Sequence, residues 1–126
     1  MKYDISDDDI STNELERDIG MAENIALTEA VYCILLALHE PRHGYGIMQL
    51  ASQLSGGRVR LAAGTLYGAL NTLCEKGWIR ELPVQAGSRR KEYVITDEGK
   101  EVARTEVARL RQLAEIGESI IGGEDK

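Results

Sequence analysis

The chain has 126 residues, 29% of them charged and 5% aromatic with no Phe, and a formal net charge of −6. That length suits one domain with a modest core of Leu, Ile, Val and Ala, and leaves little room for a deep catalytic cavity. No run of about 18 apolar residues offers a membrane span, the Asp7-Asp8-Asp9 opening is unlike a signal peptide, and two cysteines make no disulfide framework; the expectation is a soluble cytoplasmic protein.

The charge is unevenly placed. Residues 1–24 hold eight acids against Lys2 and Arg17, net −6, whereas residues 56–95 hold Arg58, Arg60, Lys76, Arg80, Arg89, Arg90 and Lys91 against three acids, net +4. An acidic protein with one basic face can still meet a polyanion, because only the contacting face needs the charge.

In chain order, Ser11 and Glu14 have capping-box spacing, and Ile10 and Leu15 the spacing of a hydrophobic staple. They predict a helix from about Thr12 to Asn24 whose thin apolar stripe, Leu15 and Ile19, is marginal alone and needs a surface to pack on. A second helix is predicted over Leu27–His39, with Leu27, Val31, Ile34 and Leu38 as its core stripe and Tyr32 and Leu36 facing nearly the other way. Apolar on two sides, it suits a helix covered on its second side by a partner subunit. Pro41, Gly44 and Gly46 break it, and a third helix follows from about Tyr45 to Ser55, with Ile47, Leu50, Ala51 and Leu54 along one face.

Arg58–Leu61 reads as a short strand, and the next helix begins at Gly64. Its apolar stripe is Leu66, Leu70 and Leu73; its opposite stripe, Gly64, Thr65, Gly68, Asn71 and Thr72, is small or hydrogen-bonding. A surface helix would account for that pattern, and so would a helix lying in the DNA major groove, which needs a face without bulk. Lys76 and Gly77 suit its end. After Gly77 the period becomes two: Trp78–Leu82 and Lys91–Ile95 read as strands, joined by a hairpin loop whose far side is Arg89-Arg90-Lys91. Long cations there reach phosphates or a minor groove. Thr96 is a predicted N-cap for a last helix to about Ile120, with a seam Ala103, Val107, Leu110, Ala114, Gly117 and Ile121 at heptad-like spacing. A second row, Val102, Leu113, Ile116 and Ile120, widens its apolar face; a homodimer would cover it, the alternative being that the helix folds back on its own domain.

The order helix, helix, short strand, helix, hairpin is that of a winged helix-turn-helix. The expected fold is therefore mainly α with a small β-hairpin, in three segments. Residues 1–24 form an acidic extension with a short helix, residues 25–96 a winged helix-turn-helix, and residues 97–126 a dimerisation helix and tail.

Four motifs sharpen this. They are Leu35-Leu36-Ala37-Leu38 with Gly44-Tyr45-Gly46-Ile47; Gly64-Thr65-Leu66-Tyr67 with Leu70, Leu73, Glu75-Lys76-Gly77 and Ile79; Arg89-Arg90-Lys91-Glu92-Tyr93; and Ile95-Thr96-Asp97-Glu98-Gly99. In this order the chain resembles the PadR family of bacterial transcriptional regulators, in its short subfamily with one C-terminal helix. The resemblance implies a homodimeric repressor of operator DNA, with a reading helix, a flanking wing and often a small-molecule effector that releases DNA. It places Thr65, Tyr67 and Asn71 near DNA, Asn71 toward an adenine edge and Thr65 or Tyr67 toward phosphates. A ring on the core rim suits Tyr67 equally. Tyr45 matches a position near the DNA-facing surface, and packing suits it equally. Arg58 and Arg60 add candidate phosphate contacts. The interface candidates are Leu15, Ile19, Tyr32, Leu36, Ala103, Val107, Leu110, Ala114 and Ile121. Short family members that stack flat aromatic drugs use a tryptophan of the C-terminal helix, whereas the only Trp here is Trp78.

An enzyme is not expected. His39 and His43 flank a helix break without an acidic partner or nucleophile at suitable spacing, and with Cys33 and Cys74 they are too scattered for a metal site. No cofactor and no membrane contact is expected. The alternative reading is a winged helix that binds protein, with the acidic extension as its docking arm; its binding would depend little on salt.

Overall fold

The computed structural model describes residues 26–84, 86–87 and 89–124. The helix expected over residues 12–24, with Leu15 and Ile19, lies outside them.

The elements are α1 (Glu29–Ala37), β1 (Arg42–His43), α2 (Gly44–Leu54), α3 (Ala63–Lys76), β2 (Ile79–Glu81), β3 (Glu92–Ile95) and α4 (Asp97–Glu124). Thr28 starts α1 by accepting the Val31 N–H on its hydroxyl at 3.1 Å. The helix therefore begins two residues after the expected Leu27. Ile34, Leu35 and Leu38 are fully buried, with Leu27 and Val31 packed beside them. Against this face sit Ile47 of α2, Leu66, Leu70 and Leu73 of α3, and Ile79, Tyr93 and Ile95 of the sheet. Each of these side chains recurs at the period of its own element, 3.6 in the helices and two in the strands, which gathers them into one core. Leu54 departs from expectation: in the last turn of α2 it remains 49% exposed.

The sheet has the order β1-β3-β2, all antiparallel. β2 and β3 form the expected hairpin in the register Ile79↔Ile95 and Glu81↔Tyr93. The third strand is not the expected one. Residues 58–61 carry no strand: Val59 is buried beside Cys33 and Ala51, and its N–H goes to the Ser55 hydroxyl at 2.8 Å rather than to a ladder. Arg42–His43 fills the place instead, pairing with Tyr93 and Glu92. A two-residue strand shows no periodicity, so nothing in the sequence marked it.

α3 ends at Gly77, whose φ of 80° is left-handed and suits glycine. The chain then returns to this point through Thr96. The Thr96 hydroxyl donates to the Gly77 carbonyl at 2.6 Å and accepts the Gly99 N–H at 3.1 Å, while its own N–H donates to the Trp78 carbonyl at 3.0 Å. Gly99 lies so close to Trp78 that an added Cβ would stand 2.9 Å from the Trp78 carbonyl carbon and 2.8 Å from Ile95 Cγ1. Farther along α4, Glu106 is 3% exposed and paired with Arg109 at 2.9 and 2.5 Å. It also accepts the Leu27 N–H at 3.4 Å, tying α4 to the head of α1. The Arg109 hydrogen bonds hold its carboxyl below the usual carboxylate range against the opposing effect of burial.

Gly99→Ala is expected to destabilise the fold by about 1–3 kcal/mol, as overpacking against backbone does. Gly64→Ala, where a Cβ meets open space, should not. Denaturant melts of both variants at one protein concentration check this.

Candidate nucleic-acid interface

α3 turns its Leu66-Leu70-Leu73 stripe into the core and leaves Gly64, Thr65, Gly68, Asn71 and Thr72 exposed, as the spacing implied. Its outer face lies beside the N-terminus of α2 and the β3 arm of the wing. Together they form an open groove of about 610 Å³ lined by His43, Gly44, Tyr45, Tyr67, Asn71, Arg89, Arg90, Lys91 and Tyr93. Six residues singled out from the sequence thus meet in one place: Tyr45, Tyr67, Asn71, Arg89, Arg90 and Lys91.

The two tyrosines divide the roles offered for them. Tyr45 is 63% exposed, and its hydroxyl accepts from Gln49 Nε2 at 3.3 Å. Tyr67 is 44% exposed, with its ring end laid over Gly44, so it serves the rim of the core and the groove at once. A Cβ at Gly44 would stand 2.8 Å from Tyr67 Cζ, so the Tyr67 ring keeps its seat over the head of α2 only while residue 44 has no side chain.

The wing cations are exposed. Lys91 lies 3.9 Å from Glu81, a solvated pair of little strength. Arg90 Nη1 lies 3.1 Å from His43 Nε2. The sequence offers His43 no catalytic or metal-binding partner; its place in the groove follows from β1, a strand too short for the sequence to show. Gly44 and Tyr93, which the motifs include without a site role, line the groove as well.

The remaining candidates stand elsewhere. Thr65 is exposed on the first turn of α3 but does not line the groove. Arg58 is engaged by Glu29 at the start of α1, at 2.6 and 2.8 Å, and its hydrogen bonds hold the Glu29 carboxyl below the usual range. Arg60 donates to the Gly57 carbonyl at 3.1 Å. Neither arginine lines the groove. Burial pushes the thiols of Cys33 and Cys74 up, so both act as small apolar groups.

On α4, Ala103 is buried in its own chain at 4% exposure, unlike the seam expected of it. From Leu110 onward the helix leaves its own core. Leu110, Leu113, Ile116, Ile120 and Ile121 are 39–62% exposed, Ala114 is exposed and Val107 is half-buried. Tyr32 and Leu36 are half-buried on α1. Among the described residues no helix is long and apolar enough to cross a membrane.

Three helices around a three-stranded sheet, with a small-faced helix beside a basic hairpin, define a winged helix-turn-helix protein. The model of the transcriptional regulator PadR-like family matches residues 34–105, and the chain belongs to that family. An uncharacterized 37.1 kDa protein in transposon TN4556 of Streptomyces fradiae is 34% identical over 87 residues. The match covers 68% of this chain and 24% of that protein, so the chain spans about a quarter of this relative's length. Among solved structures, a PadR family transcriptional regulator from Eggerthella lenta superposes with a TM-score of 0.62 at 24% identity, covering 86% of this chain and 90% of the other. A PadR-like transcription factor from Bacteroides fragilis gives a TM-score of 0.57 at 27% identity, covering 87% and 99%.

Gly44→Ala is expected to swing the Tyr67 ring out of its seat at little cost to the fold, because the far end of a side chain can yield. The melting temperature should shift by less than about 5 °C. NMR contacts between Tyr67 and the head of α2 should disappear.

Proposed function

We propose that this chain is a sequence-specific DNA-binding transcriptional regulator that acts in the cytoplasm as a homodimeric repressor. The observation that carries the reading is the groove: the amide of Asn71, two exposed tyrosines and three consecutive wing cations converge on it, beside the exposed small-residue face of α3. A duplex needs these together, a flat face to enter the major groove and cations to follow the phosphates beside it. Asn71 is the base-reading residue; Arg89, Arg90 and Lys91 bind phosphates. Two copies joined through the exposed end of α4 and the outer side of α1 present two such grooves. An effector site is supported by a second concavity of about 300 Å³ between α1 and α3, lined by Leu27, Val31, Leu73 and Trp78 with Lys76 at 5.2 Å over the indole.

A mobility-shift titration with DNA from upstream of the protein's own gene, against excess unrelated DNA, should give a discrete shift that survives the competitor. Failure of a folded dimer to shift any fragment from a genome-wide pull-down would favour the protein-binding winged helix instead. Replacing Arg89, Arg90 and Lys91 together with Ala should weaken binding to all sequences and shallow the dependence of log Kd on log salt by about two to three units. An unchanged slope would remove the wing from the interface. Leu110→Glu should yield monomers in sedimentation; an intact dimer would place the contact elsewhere.

A further inference from the structure

The head of α1 is held at three points. Glu106 of α4 accepts the Leu27 N–H at 3.4 Å, Arg58 grips Glu29 at 2.6 and 2.8 Å, and Ala30 and Cys33 pack with Ala51 and Val59. Toward α3 the same turns stay open, on the concavity of about 300 Å³ where Leu27, Val31, Ala69 and Trp78 are only half-buried over the core. Apolar side chains left half-covered in a hollow favour an apolar cover, since burying them removes that surface from water. Lys76 is the one charged side chain among the described residues that line the hollow. A cover with acids at its border therefore suits the rim.

The chain itself arrives there. Ala26, the first described residue, lines the hollow, and 25 residues precede it, of which 1–24 carry a net charge of −6. Thr12–Asn24 has the spacing of a helix about 20 Å long. Leu15, Ile19 and Ala22 fall along one side of it, and Asp18 and Glu23 border that stripe. Residues 25–28 are then a short connection to α1, with Thr28 as the N-cap of α1. Two helices joined so closely pack antiparallel, side by side. The outer side of α1, with Tyr32 and Leu36, is the one proposed above for the partner subunit, which leaves the hollow beside α3.

We propose that residues 12–24 of this chain seat on the concavity between α1 and α3, with Leu15 and Ile19 on Leu27, Val31 and Trp78 and the bordering acids at Lys76. The seat stands whether or not the chain binds DNA. It gives the thin apolar stripe of the acidic extension the surface it lacks alone, and gives the half-covered hollow its cover. An effector of the kind suggested above enters the hollow only by displacing this segment, which makes the extension part of the regulation.

Trp78 is the only tryptophan of the chain, so its emission reports on the hollow. In the full chain, Leu15→Glu with Ile19→Glu should shift that emission to the red and raise its quenching by acrylamide. In a Cys74→Ser background, Ile19→Cys with Thr72→Cys should close a disulfide within one chain under mild oxidation. Arg17→Cys with Thr72→Cys, from the opposite side of the expected helix, should not. Unchanged emission and quenching in the double-Glu variant, or no cross-link from residue 19, overturns the seat. A cross-link that joins two chains overturns it also, and assigns the hollow to the segment of a second copy. The cross-link decides the matter even should the double-Glu variant fail to fold, and none of these outcomes touches the DNA-binding reading.

Discussion

Thr96 is the residue through which the rest of the structure is joined. Its hydroxyl and N–H reach the Gly77 carbonyl at the end of α3 and the Trp78 carbonyl at the start of β2, and its hydroxyl opens α4 by accepting from Gly99. One residue earlier, the Ile95 N–H donates to the Leu38 carbonyl at 2.8 Å, fastening β3 to the end of α1. The helix proposed to read DNA, the wing and the long helix thus meet within a few residues. Each bond is of the ordinary kind, about 1 kcal/mol. Their effect is larger than their sum of strengths suggests, because they fix directions: α3 cannot turn against the wing, nor α4 against α3, without breaking them.

The groove's basicity comes from how charge is disposed rather than from its total. The net charge is −6, yet Arg58 is matched by Glu29, Arg109 by the buried Glu106, and Arg42 is shared between the Ala37 carbonyl and Glu40. Those cations are engaged in holding α1, α4 and β1 in place. On the wing, Lys91 meets Glu81 at 3.9 Å, a solvated pair of little strength. A search by charge alone would rank Arg58 with Arg89. The structure separates them by place: Arg58 pairs with Glu29, whereas Arg89 lines the groove.

Much of this was legible in the chain, for a physical reason. α3 was readable because its two faces differ in kind, with Leu66, Leu70 and Leu73 fully buried and the small residues all exposed. Periodicity records burial, and here burial is one-sided. The wing was readable because cations and β-branched residues alternate over strands long enough to show a period of two. β1 was not, since two residues have no period, and with it went the placement of His43 in the groove. Residues 58–61 misled because Val59 is apolar among charges, which looks like a strand but reflects a single side chain buried beside Cys33 and Ala51. Ala103 misled differently: a heptad seam says which residues share a face of a helix, not which neighbour covers it. The first turns of α4 give that face to their own core, and only the later turns leave it open.

That division of α4 bears on how two grooves would act together. The helix has 28 residues, about 42 Å at 1.5 Å per residue. Its first part is held by Thr96, the Gly99 approach and Glu106, while its last part carries Leu110, Leu113, Ile116, Ile120 and Ile121 into solvent. In the proposed dimer the partner seats on the far part, and the near part carries that seating rigidly to α3 and the wing. The separation of the two α3 helices is then set by the angle at which the α4 helices cross, and it must approach one turn of duplex, about 34 Å, for both to enter successive major grooves. A small rotation at that crossing would move each α3 by several ångströms at the end of so long a lever. An effector seated between α1 and α3, near Leu27, would act on the same lever, because the Leu27 N–H is held by Glu106 of α4. Release of DNA would then require no distortion of the groove itself, only a change in the distance between two intact ones.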